Sequence, residues 1–307
     1  MPNYSGSWNL VQQMQGVAAG NWSGGYSGTV GIFALGYSPS ASTTRNKYTF
    51  SGCVNASATA SSAASRCGSA AGNSTVGIFA LGYVSGICAS TTRNKYTYSG
   101  CINSSATAAS AASRLGAAAG NSTVGIFALG FVSCTGSTTR NKYTYSGDVN
   151  ASAAAASTAS YFESAAGNSA VGIFALGYTT IASTTRDKYT YSGCVVSSGA
   201  AASAGSFAGS AAGNSTVGIF ALSNGTTTRN KYTYSGCVNA SATASSAASA
   251  GGSAAGNSNV GIFALGNCTT NRDKYTYSGC VNASATASSA ASAAGSAASN
   301  GTCGVNV

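Results

Sequence analysis

Gly31-Ile32-Phe33-Ala34-Leu35-Gly36, the phrase GIFALG, decides the fold because it returns. It begins again at Gly77, Gly125, Gly172 and Gly261, and as GIFALS at Gly218, at intervals of 46, 48, 47, 46 and 43 residues. A second phrase follows each copy: TTRNKYTF from Thr43, TTRNKYTY from Thr91, Thr138 and Thr227, TTRDKYTY from Thr184 and TNRDKYTY from Thr270. SGCVNASATA or a relative comes next, then a small-residue run ending near AAGNST. Six copies at this period indicate one supersecondary unit, repeated in a propeller, solenoid or array.

Within a unit the pattern is that of strands. Val30, Ile32 and Ala34 alternate with Phe33, Leu35 and Tyr37, so both faces are apolar and the strand is expected to be buried on both sides. Tyr48 and Phe50 alternate against Lys47 and Thr49, the pattern of a half-buried second strand. Cys53-Val54 with Ala56 to Thr59 supplies a third, and the run from Ala63 to Ala71 a fourth. An alanine-rich helix is the local competitor, since alanine is the best helix former. Interruption by Ser, Thr and Gly, and the absence of a large apolar stripe, argue against it. Asn300 to Val305 aligns with the opening of a unit, and such a strand can close a ring by completing the first sheet. The expected architecture is all-β: a β-propeller of about six four-stranded blades over residues 30–307, preceded by an attachment or capping segment, residues 1–29. A β-solenoid that stacks into fibres is the alternative.

Composition narrows the chemistry. The 307 residues include no His, 14 basic and 4 acidic residues, a net charge of +10, with 6% charged overall, against about 25% in ordinary domains. Histidine-based triads, ligands and proton shuttles are excluded, and four scattered acids do not favour paired-carboxylate catalysis. No cofactor motif is visible; NST lacks the GxxxxGK context of a phosphate loop. Asp187 and Asp273 are too isolated to define calcium ligands. Cys53, Cys101, Cys194, Cys237 and Cys280 share one unit position, while Cys67, Cys88, Cys134, Cys268 and Cys303 are irregular. Without a CxxC pair or His a zinc site is not expected. Mostly reduced, buried thiols are expected; bridges between successive units would instead indicate a solenoid.

The basic residues form the one recurrent candidate site. Arg45/Lys47, Arg93/Lys95, Arg140/Lys142, Arg186/Lys188, Arg229/Lys231 and Arg272/Lys274 hold twelve of the fourteen positive charges. In a ring they would make a circle of positive potential able to attract an anionic glycan, another polar ligand, a membrane surface or nucleic acid. The sparse charge and the lack of a reader motif disfavour nucleic acid. The competing structural role is Arg bonding to carbonyls where loops meet, with Lys covering Tyr rings. Tyr48, Tyr96, Tyr143, Tyr189, Tyr232 and Tyr275 fit core positions better than exposed sugar platforms.

The GIFALGY strand ending in glycine and the KYTYSG strand and turn resemble divergent kelch-like propeller repeats, over roughly residues 30 to 307. That resemblance implies a propeller. The leader MPNYSGSWNLVQQMQGVAAGNW resembles those of some phage and marine metagenomic structural proteins, which implies a virion or external appendage component. No secretory signal and no transmembrane segment are expected. The function expected is non-enzymatic display or binding, with cell-surface glycans, other virion or appendage proteins, or copies of the chain as partners. The ligand would meet the variable loops SPSAS, VSGICAS, FVSCTGS and TTIAS.

Overall fold

The computed structural model describes residues 30–299 except 38, 51–53, 56–57, 86–87, 99–101, 104–105, 146–148, 151–152, 192–194, 235–237, 240–241, 278–280 and 283–284. Residues 1–29, the expected attachment segment, lie outside it, as does 300–307. The described chain is all-β, without helices, and is organised in small antiparallel sheets.

Six of these sheets have four strands each. Sheet 2 takes Ser69–Gly72, Val76–Ala80, Arg93–Thr97 and Ile102–Asn103 in that order. Sheets 3 to 6 repeat it, beginning at Ala118–Gly120, Ser164–Gly167, Ser210–Gly213 and Ser253–Gly256. Sheet 1 is built from both ends of the described chain: Ser296–Ser299 pairs with Val30–Ala34, followed by Arg45–Thr49 and Val54–Asn55. The small-residue run therefore opens the next sheet and does not finish its own. Closure comes from Ser296–Ser299, whereas the expected closing segment 300–305 is outside the described residues. The alanine- and serine-rich runs form no helix. Their hydroxyls and amides clip neighbouring strands, as when Ser61 N–H donates to the Thr43 carbonyl and Ser62 N–H to Asn94 Oδ1.

Alternation sets the packing. Val30, Ile32 and Ala34 of sheet 1 pack with Ala298 against Phe79, Tyr96 and Tyr98 of sheet 2. The opposite face, Phe33, Tyr48 and Phe50, packs against Ala255, Ile262 and Ala264 of sheet 6. The same interface recurs between sheets 2 and 3, 3 and 4, 4 and 5, and 5 and 6. Each sheet is thus sandwiched between two others, which is why both faces of VGIFA are apolar. Phe33 and Tyr48 meet edge to face at 5.1 Å, a geometry worth about 0.5–1.5 kcal/mol beyond buried area. Glycine lets the sheets approach: a Cβ on Gly31 would lie 3.2 Å from the Ala255 methyl.

A second rule couples the first strand to the third. The Tyr98, Tyr145, Tyr191 and Tyr234 hydroxyls donate to the carbonyls of Ser299, Gly72, Gly120 and Gly167, each in the preceding sheet. A Cβ on Gly72 would stand 2.1 Å from the Tyr98 hydroxyl, so that tyrosine demands glycine beside it. Sheet 1 has Phe50 and Ser299 instead, and the Ser299 hydroxyl supplies the missing bond to Gly256, at 2.6 Å.

At one end of the first strands the backbone forms a hoop. Cys67 N–H donates to the Ala294 carbonyl, Leu115 to Cys67, Phe162 to Leu115, Ala208 to Phe162, Gly251 to Ala208 and Ala294 to Gly251, at 2.7–3.0 Å. All six residues have φ between 53° and 61°. The circuit returns to its starting residue, so the six units are arranged cyclically.

Candidate binding face

The hoop end also carries the variable loops. Gly36, Gly82, Gly130, Gly177 and Gly266, each at φ near +70°, turn the chain out of the second strand, and bridges tie this turn to the residue preceding each hoop position. Such a φ suits glycine; in the GIFALS variant Ser223 takes it at 55°. The loops that follow differ in length and sequence from unit to unit on a shared frame.

Their side chains make an uneven surface. Tyr161 lies 5.1 Å from Phe131, 5.4 Å from Phe162 and 5.2 Å from Tyr178, while Phe207 joins Phe162 at 5.8 Å and Tyr178 at 5.9 Å. All five rings are half-buried, and Ile181 nearby in sequence is 71% exposed. Arg66 stacks between Tyr37 and Tyr83, at 5.2 and 4.4 Å, and Arg114 lies 4.9 Å from Phe131. Stacked aromatic faces offer area at low conformational cost, and half-buried arginines offer directed donors. The hoop itself borders a shallow cavity of about 60 Å³ lined by Cys67, Leu115, Phe162, Glu163 and Ala208. The channel beyond it, about 80 Å³ at the other end, is lined by Ala, Gly and Ser299.

The recurrent basic pairs are not brought together as a solvent-facing ring. Arg45, Arg93, Arg140, Arg186, Arg229 and Arg272 are 1–4% exposed, whereas Lys47, Lys95, Lys142, Lys188, Lys231 and Lys274 are half-buried. Each Arg reaches into the next interface and lies over a Phe and a Tyr: Arg45 over Phe79 at 4.8 Å and Tyr96 at 4.2 Å, Arg272 over Phe33 and Tyr48. The guanidinium covers the tyrosine of the next sheet. For the arginines the expected circle of positive charge is corrected to six buried cations, because the Arg shares the face of Ile32-type residues and follows them into the sheet interface, while the six lysines keep part of their surface in solvent. A desolvated cation over two rings gains about 2 kcal/mol or more, offsetting part of the burial cost.

Acids compensate only some of these charges. Arg140 lies 3.4 Å from Glu163 and 3.9 Å from Asp187, and Arg229 lies 3.2 Å from Asp273. The two aspartates stand where other units have Asn, and so serve as buried partners of arginine. Arg45 and Arg186 donate to the Tyr96 and Tyr232 hydroxyls. Burial pulls Arg45, Arg186 and Arg229 down to about 10, and Arg93 and Arg272 to about 9, so all stay charged at neutral pH. Burial pushes Glu163 up to about 7, against the pull of Arg140.

The repeated tyrosines are core: Tyr48, Tyr96, Tyr143, Tyr189, Tyr232 and Tyr275 are fully buried. Cys88, Cys134 and Cys268 are free and exposed, and Cys67 is free and half-buried, unlike the buried thiols expected; burial pushes the Cys67 thiol up. Cys53, Cys101, Cys194, Cys237, Cys280 and Cys303 lie outside the described residues. No metal-holding group of His, Cys, Asp or Glu occurs among the described residues, and no helix there is long and apolar enough to cross a membrane. The sequence placed the ligand on the loops that begin at Tyr37, Phe131 and Tyr178 but did not single out Arg66, Arg114, Tyr161, Phe162 or Phe207, because it was searched for what repeats. The usable signal was the opposite one: these are the large side chains that break the repeat.

No family model matches the chain, and no curated protein sequence matches it. Among solved structures, one named "Structure of YjhT" superposes with a TM-score of 0.62 at 11% identity, covering 83% of this chain and 96% of that chain. The likeness is one of fold.

Proposed function

We propose that the six sheets are blades of a six-bladed, kelch-like β-propeller acting as a non-enzymatic binding or display scaffold, with glycan as ligand on the loop face. The pairing of Ser296–Ser299 with Val30–Ala34 and the hydrogen-bonded hoop support a ring over an open stack. The observation that carries the binding role is the contrast between a frame repeated six times and loops that differ, with the large irregular aromatics gathered on that one face. Tyr and Phe faces stack on sugar rings, and Arg66 and Arg114 supply donors for hydroxyls or acidic sugars. The buried Arg ring belongs to the frame.

Electron micrographs of the purified protein should show compact rings; rods or filaments would overturn the propeller. Glycan-array binding should fall for Tyr178→Ala and for Arg66→Ala, with melting temperature retained. Equal binding by wild type and both variants would remove the loop face as the ligand site.

A further inference from the structure

We propose that the cavity between sheets 1 and 2 is a binding site for a small monovalent anion of chloride's size, held by Arg45. The cavity lies under the variable loops, measures about 10 Å³ and is bounded by Arg45, Arg66, Ser65, Gly68, Ala34 and Ala80 among others. That room matches one water-sized particle. Two of its walls are cationic and none is acidic. Arg45 is 2% exposed, and its Nε and Nη2 have no hydrogen-bond partner. A buried guanidinium with unmet donors is costly, and a compact anion removes that cost.

The molecule itself contains the filled version of this site. Glu163 stands in the position that Gly68 occupies two units earlier, three residues after Ser160 as Gly68 follows Ser65. Its carboxylate accepts from the Ser160 hydroxyl at 3.0 Å and sits 3.4 Å from Arg140, the counterpart of Arg45. Where the chain supplies a carboxylate, the serine hydroxyl bonds one of its oxygens and the guanidinium stands at ion-pair distance from the other. Where glycine replaces it, the same pair of groups borders the cavity. A chloride there would take the place of a carboxylate oxygen. This inference does not depend on what the loop face binds.

Anomalous diffraction from crystals grown in sodium bromide tests it directly. A bromide peak beside Arg45 and Ser65 is expected, replaced by water or nothing in sodium gluconate. In solution, melting temperature should rise saturably with chloride when gluconate holds ionic strength constant. Asn94→Asp places a carboxylate where Asp273 faces Arg229, in a position the fold already accepts, and should reduce the bromide peak to noise; Arg45→Met should do the same. Water at that position in bromide-grown wild-type crystals, or a peak that persists in both variants, would overturn the proposal.

Discussion

Phe50→Tyr is expected to destabilise the protein, and Ser299→Gly added to it is expected to restore what was lost. In the other five sheets a Cβ at the end of the first strand would stand 1.9–2.1 Å from the tyrosine hydroxyl. The added hydroxyl in sheet 1 therefore collides with the Ser299 Cβ, an overpacking cost of about 1–3 kcal/mol. Ser299→Gly alone removes the 2.6 Å bond to the Gly256 carbonyl, costing about 1–2 kcal/mol, and adds backbone entropy worth about 0.5–1 kcal/mol. Together the substitutions recreate the Tyr–Gly pair, with the new phenol free to donate to Gly256 as Tyr145 donates to Gly72. Equilibrium denaturation of the four proteins should give a coupling of about 2–3 kcal/mol in favour of the double variant. Additivity within about 0.5 kcal/mol, the behaviour of independent sites, would refute the rule that tyrosine and glycine are chosen as a pair.

Other perturbations test the buried charges and the hoop. Glu163, pushed up to about 7 by burial, holds its proton in the folded chain over a range where the unfolded chain has released it. Its contribution therefore falls as pH rises from about 4.5 to 7, by at most about 3 kcal/mol. Glu163→Gln should gain on wild type across that window in pH-dependent denaturation; a constant gap from pH 4 to 8 would count against it. Arg229→Met strands Asp273 in the interface and should cost about 3–5 kcal/mol, whereas Arg93→Met removes an arginine with no acid among the described residues within ion-pair distance and should be near neutral. Equal costs in urea denaturation would contradict the assigned pairing. Ala294→Gly relieves a left-handed alanine at φ 53° and should stabilise by about 0.5–1 kcal/mol; a lower melting temperature would show that the hoop needs the methyl.

The unit, its strands and the double burial of VGIFA were legible because they are local: period, alternation and turn residues lie within one copy. The fate of the small-residue run was not. Ser69–Gly72 belongs to sheet 2 because Val76–Ala80 is its hydrogen-bond partner, a pairing that crosses the unit boundary drawn from GIFALG. The same boundary led to 300–305 as the closing strand in place of Ser296–Ser299. Whether Arg45 faces solvent was not legible, because its compensation, the rings of Phe79 and Tyr96, lies one unit away. Of the loop-face aromatics, Phe131 and Tyr178 align with Tyr37 and Tyr83 after the LG pair, whereas Tyr161, Phe162 and Phe207 stand where other units have Arg, Ala, Cys, Leu or Gly.

The hoop of Cys67, Leu115, Phe162, Ala208, Gly251 and Ala294 has an electrostatic consequence. In a helix the peptide dipoles add head to tail along an axis and leave partial charges at its ends. Here six donor–acceptor bonds run head to tail around a circle, so their in-plane components cancel and the circuit has no free end. Each bond can still polarise the next. Each of the six amide hydrogens is donated to a neighbouring carbonyl, so none is available to an anion on the axis, and anion recognition there falls to the side chains around the rim.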